Sequence, residues 1–150
     1  MRLELTKRGD YAVRAMLALT RGAGGGLLSA RRISDAMGIP VRFLPQVLAD
    51  LQRSGLVEAA PGRAGGYRLA RDAADVSLLE VIEAVEGDSR RKSCVLRGGP
   101  CGDGGFCDVH GVFFKGQEAL LGIFAGASLA DLARSGVAPA GAVTGDDAAG

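Results

Sequence analysis

All three cysteines and the single histidine of the chain fall in one stretch, Cys94-Val-Leu-Arg-Gly-Gly-Pro-Cys101-Gly-Asp-Gly-Gly-Phe-Cys107-Asp-Val-His110. Three thiolates and one imidazole form a complete tetrahedral donor set for zinc or for an iron–sulfur cluster. The glycines between them disfavour regular helix or strand, so the donors belong to a loop. An odd cysteine count argues against a disulfide framework, which leaves metal or redox chemistry as the better reading. A structural Cys3His zinc site and unligated thiols remain the plainer alternatives.

The loop needs elements to hold it and something to act on. At 150 residues the chain has room for one domain, or a small domain with an appended arm, and for a real core without metal. Net charge is +1, but residues 1–72 carry twelve Lys/Arg against six Asp/Glu, and residues 73–150 carry six against eleven. A basic first half and an acidic second half suit a DNA-binding head with a regulatory tail. Neither a secretory leader nor an apolar run of membrane-spanning length is evident, so the expectation is a cytoplasmic protein, where thiols stay reduced, with no membrane partner.

Thr6 can cap a helix over Lys7–Arg21 that places Ala12, Ala15, Met16 and Leu19 on one face, with Asp10 in its first turn beside the helix dipole. The glycines after Arg21 predict a flexible turn. Ser29 opens a second helix, Ala30–Met37, stopped by Gly38. Pro40 then precedes a third helix over Val41–Ser54, whose Leu44, Val47, Leu48 and Leu51 face inward. That spacing leaves Arg42, Gln46, Asp50 and Arg53 on outward or flanking positions. Helix, glycine turn, helix is the helix-turn-helix pattern, in which the second helix enters the major groove. Arg42 and Gln46 stand where base contacts arise, Arg toward guanine and Gln toward adenine, with Arg31 and Arg53 as further DNA-facing candidates. A solvated helix face is the bland alternative for each of them.

Leu56–Ala60 and Tyr67–Ala70 read as two strands around the turn Pro61-Gly-Arg-Ala-Gly-Gly66, which makes a wing. Arg63, Gly65, Gly66 and Tyr67 are its candidates for phosphate or minor-groove contact. Ser77 starts an amphipathic helix ended by Gly87. Beyond Asp108, Val109, Val112, Phe113, Gly116, Leu120, Ile123 and Phe124 form an apolar stripe widened by Phe114 and Leu121. A helix this apolar calls for a partner, most economically a second copy of itself; packing on its own head is the weaker alternative. The expected organisation is a winged helix-turn-helix head over 1–87, a cysteine-rich loop over 88–111 and a dimerisation helix with a short last helix over 112–136. A disordered tail over 137–150 completes it. The fold class is mainly α with a small β-hairpin.

Taken together, three segments carry a resemblance: Met1-Arg2-Leu through Met16, Gly62-Arg-Ala-Gly-Gly-Tyr-Arg-Leu69, and Leu79-Glu-Val-Ile-Glu-Ala-Val-Glu-Gly87 followed by the three cysteines. To about Gly136 the chain resembles the Rrf-two family of iron–sulfur winged-helix transcriptional regulators, the IscR-, NsrR- and RirA-like proteins. The resemblance implies a homodimer on a roughly palindromic promoter site in double-stranded DNA, tuned by an iron–sulfur cluster. By position it makes Cys94, Cys101 and Cys107 the cluster cysteines. His110 then matches the IscR-like Cys-x-x-His ending, which goes with [2Fe–2S]. Asp10 matches the position from which NsrR-like members supply a carboxylate to a [4Fe–4S] cluster of the partner subunit. Cys107 and His110 lie three apart at a helix start, within reach of one metal, which favours His110. Two departures stand out. The gap between Cys94 and Cys101 is one residue longer than in IscR-like members, and Pro45 stands where they carry glutamate.

The function expected is therefore a cluster-controlled transcriptional regulator responding to redox state, nitric oxide or iron. A winged-helix repressor with a zinc or thiol-redox site is the rival, and a small iron–sulfur electron carrier is a distant third. No nucleophile–base arrangement and no phosphate-binding glycine loop supports an enzyme.

Overall fold

The computed structural model describes residues 3–22, 26–90, 96, 105 and 107–136. Cys94, Cys101 and the 137–150 tail lie outside these residues. Helix α1 spans Lys7–Arg21 and begins where expected, because the Thr6 hydroxyl accepts the Gly9 N–H at 3.2 Å. Helix α2 spans Ala30–Met37; Ser29 caps it, and Gly38 ends it in the left-handed region at φ 64°.

The third helix departs from the expected single segment. Val41–Phe43 form a 3-10 turn, and the α-helix proper, α3, runs Leu44–Arg53. Pro45 explains the break. An α-helical bond to the Val41 carbonyl needs the N–H of residue 45, which proline lacks, so the Leu44 N–H takes that carbonyl instead. Strands β1 (Val57–Ala60) and β2 (Gly66–Leu69) pair antiparallel in the register Val57 to Leu69 and Ala60 to Gly66.

Helix α4 spans Leu78–Glu86 and opens with a reciprocal capping box between Ser77 and Glu80. A hydrogen bond from Arg71, followed by the Ser77 backbone N–H, holds the Glu80 carboxyl below its ordinary value. Helix α5 spans His110–Gly126 and α6 spans Leu129–Arg134.

One core joins the head. Met16 and Ala12 of α1, Ile33 of α2, Leu44, Leu48 and Leu51 of α3, Val57, and Val81 of α4 are all buried in it. Leu129 of α6 is fully buried in the same core, and its N–H donates to the Val76 carbonyl at 2.9 Å. Helix α6 is thus packed on the head. Helix α5 differs: it lies against α4 with Leu121 as its buried residue, while Val112, Phe113, Phe114 and Ile123 of the expected stripe stay exposed. No described helix is long and apolar enough to cross a membrane.

Candidate nucleic-acid interface and metal centre

The first turn of the recognition helix is braced by aromatic stacking. Phe43 packs at 5.5 Å from the Tyr11 ring of α1, and the Arg42 guanidinium lies 4.9 Å over Phe43. Arg42 is exposed, so its donors reach solvent from a stacked base. Arg31 on α2 is exposed as well, with no ion pair to a described residue.

Asp50, expected on an outward or flanking position, is 4 % exposed and so lies on the buried side of that range. Its carboxylate accepts from Arg53 one turn on, from Arg8 of α1, and from Gln46 Nε2 at 3.2 Å. Three donors compensate the loss of water around a buried charge. It lies beside Val47 and Leu51 of the inner stripe, and Arg8 reaches it from another helix. No local pattern signals that contact.

In the wing, Arg63 sits exposed at the tip, while Gly65, Gly66 and Tyr67 are half-buried. Gly65 N–H donates to the Gly62 carbonyl at 3.1 Å. Tyr67 exchanges backbone bonds with Leu28 at 2.8 and 2.9 Å, so the segment before α2 adds a third strand-like rung to the hairpin. A Cβ on Gly66 would stand 2.6 Å from the Leu28 carbonyl oxygen, and Gly66 has φ 150°. Gly66→Ala should therefore break the Leu28–Tyr67 rung and cost roughly 1–3 kcal/mol of stability. Thermal unfolding monitored by circular dichroism checks this, and an unchanged melting temperature would show that the rung is dispensable.

At the other end of the head, His110 opens α5 and its backbone N–H donates to the Cys107 carbonyl at 3.0 Å. Both residues are half-buried, and the His110 ring stacks with Phe114 at 6.2 Å. One turn therefore carries a thiol and an imidazole three residues apart. Asp10 is placed differently. Its Oδ1 accepts from Arg14 Nε at 2.8 Å, and Arg14 also donates to the Met37 carbonyl at 3.2 Å. Among the described residues no group of three or more His, Cys, Asp or Glu side chains is gathered in metal-binding geometry.

The flanks of the cysteine segment are tied to the head and to α5. Glu86, the last residue of α4, accepts from the Thr6 N–H at 2.9 Å and from the Thr6 hydroxyl at 2.6 Å. Glu83 accepts the Ser89 N–H at 3.0 Å, and Arg90 Nε pairs with Glu118 Oε1 of α5 at 3.4 Å. Sequence reasoning misses all of these, because each pairs residues distant in sequence or in a loop.

Residues 5–135 match the Rrf2 family, described as iron-dependent transcriptional regulators. The chain belongs to that family. It is 34 % identical over 130 residues to the HTH-type transcriptional regulator IscR of Klebsiella pneumoniae (strain 342), covering 87 % of this chain and 79 % of that one. Among solved structures, T. potens IscR superposes with a TM-score of 0.74 at 27 % identity, covering 90 % of this chain and 89 % of the other. CymR, the global cysteine regulator of B. subtilis, has the same fold, with a TM-score of 0.76 at 22 % identity over 89 % of this chain and 98 % of that one. This Rrf2 protein is accordingly a helix-turn-helix transcriptional regulator and not an enzyme.

Proposed function

We propose that this Rrf2 regulator binds a roughly palindromic promoter site as a homodimer, and that an iron–sulfur cluster held by Cys94, Cys101, Cys107 and His110 controls the binding. The observation that carries the reading is the turn at the start of α5, where Cys107 and His110 end a run holding every cysteine of the chain. Soft thiolates with one imidazole suit iron and sulfide. Asp10 is already engaged by Arg14, which favours His110 as fourth ligand and, by the IscR-like pattern, [2Fe–2S] over [4Fe–4S]. The exposed apolar face of α5 supports the homodimer, and Arg31, Arg42, Gln46 and Arg63 are the DNA contacts proposed for each head. Arg53 is placed with them, its charge shared with Asp50.

A cluster held by Cys94, Cys101, Cys107 and His110 would supply redox-active iron, and its presence or loss would change how the loop is tied. The chain carries that change onward. Glu86 joins the end of α4 to the start of α1, and Arg90 joins the loop's base to α5. A change in the loop then bears on both the head and the dimer helix. Two half-sites must be met at one fixed separation, so a small change of angle between heads alters affinity.

The test is anaerobic isolation followed by absorption and resonance Raman spectra, with iron, sulfide and zinc assayed per chain. Brown protein with acid-labile sulfide is expected. Under this reading His110→Ala alters the spectrum and weakens cluster retention, while Asp10→Ala leaves both unchanged. The reverse pattern would move the fourth ligand to Asp10 of the partner subunit. Colourless protein carrying zinc, or no metal after reconstitution, would overturn the cluster.

A further inference from the structure

We infer that Asp50 is a positioning residue for base recognition: it holds the Gln46 side-chain amide in the one orientation that reads adenine. This rests on the proposal that Gln46 is a base contact.

An ionised carboxylate can only accept hydrogen bonds, so the group that Gln46 turns toward Asp50 must be its nitrogen. The Gln46 Nε2 to Asp50 Oδ1 bond, 3.2 Å long, spans one turn of α3. Asp50 cannot follow a moving Gln46. It is 4 % exposed, fixed by Arg53 from its own helix and by Arg8 from α1, and set between Val47 and Leu51 of the core stripe. Gln46 itself is exposed. Its Oε1 and its second N–H have no bond to a described residue.

Those two free functions are one acceptor beside one donor. In the major groove adenine offers N6–H to an acceptor and N7 to a donor, so it matches both. Guanine offers two acceptors, O6 and N7, and sets O6 against Gln46 Oε1. An untethered glutamine can turn its amide over and present nitrogen to guanine instead. Asp50 blocks that flip, because an inverted amide would point Oε1 at the carboxylate. The buried charge thus turns a permissive side chain into a selective one, without touching DNA.

The test begins by selecting sites from a random double-stranded DNA pool with the full chain and with Gln46→Ala. The base pair at which Gln46→Ala loses preference marks the contact. At that pair an A-to-G exchange should weaken binding of the unsubstituted chain by about tenfold. Asp50→Asn, which can both donate to and accept from the amide, should reduce that ratio to about twofold. In a Gln46→Ala background Asp50→Asn should leave the ratio at this pair unchanged. If Gln46→Ala shifts no base preference, the base-contact reading fails and the inference with it. If Gln46→Ala relaxes the pair but Asp50→Asn does not, the base contact stands and the tether is overturned. Should Asp50→Asn not fold, side-chain 15N relaxation of Gln46 in the unsubstituted, DNA-free chain decides. A restricted amide with one slowly exchanging proton supports the tether, and a freely reorienting one overturns it.

Discussion

Alanine at Cys94, Cys101 and Cys107 together should remove all iron and acid-labile sulfide from the anaerobically isolated protein and change promoter affinity by about tenfold. The loss of iron stems from the ligand set, since His110 alone cannot hold a cluster. The change in affinity stems from coupling between two sites, which typically amounts to about 5–150-fold. The head should remain folded. Its core is built from α1, α2, α3, the hairpin, α4 and α6, and among the described residues none of it comes from the cysteine segment. An unchanged helical melting transition beside altered binding, measured by fluorescence anisotropy on one promoter fragment, would separate control from folding. Equal affinity of the substituted and cluster-loaded proteins would reduce the loop to a passive structure.

Sequence alone locates the head well because its helix ends are marked by local chemistry. Thr6, Ser29 and Ser77 cap α1, α2 and α4 with their own side chains, and Gly38 takes the positive φ that stops α2. Such signals need no tertiary context. Pro45 is tolerable early in a helix, yet its missing N–H converts the first turn to 3-10 geometry. Asp50, Leu28 and Glu86 elude a sequence reading for another reason. Each is settled by a partner from a distant element: Arg8, Tyr67 and Thr6. Periodicity reports one element at a time, so it cannot report these contacts. For the proposed metal centre the sequence supplies donor types and spacing, and the fold adds that Cys107 and His110 fall in one turn at the start of α5. Spacing already favours His110 over Asp10, whereas the Arg14 side chain that engages Asp10 could equally have pointed to solvent and is not legible.

Ile123→Glu should halve the molar mass in light scattering and weaken binding to a two-half-site promoter by about 100-fold or more, with single half-site binding little changed. Helix α5 is apolar around most of its circumference, so no sequence period chooses which face is covered. The fold narrows the choice. Leu121 packs inward, while Val112 and Ile123 remain 73 % and 69 % exposed, with Phe113 and Phe114 beside Val112. A second copy that buried these residues would desolvate any carboxylate at position 123, and an unpaired buried carboxylate costs several kcal/mol. Two linked heads gain about 10²–10⁴ in affinity over one by effective concentration, which sets the size of the expected loss. The substitution sits on the exposed side of α5, away from Leu129 and the head core, so folding of the head should survive it. A dimer that persists through Ile123→Glu would place the subunit contact elsewhere, and would also remove the route proposed from the cysteine loop through Arg90 and Glu118 to the spacing of two heads.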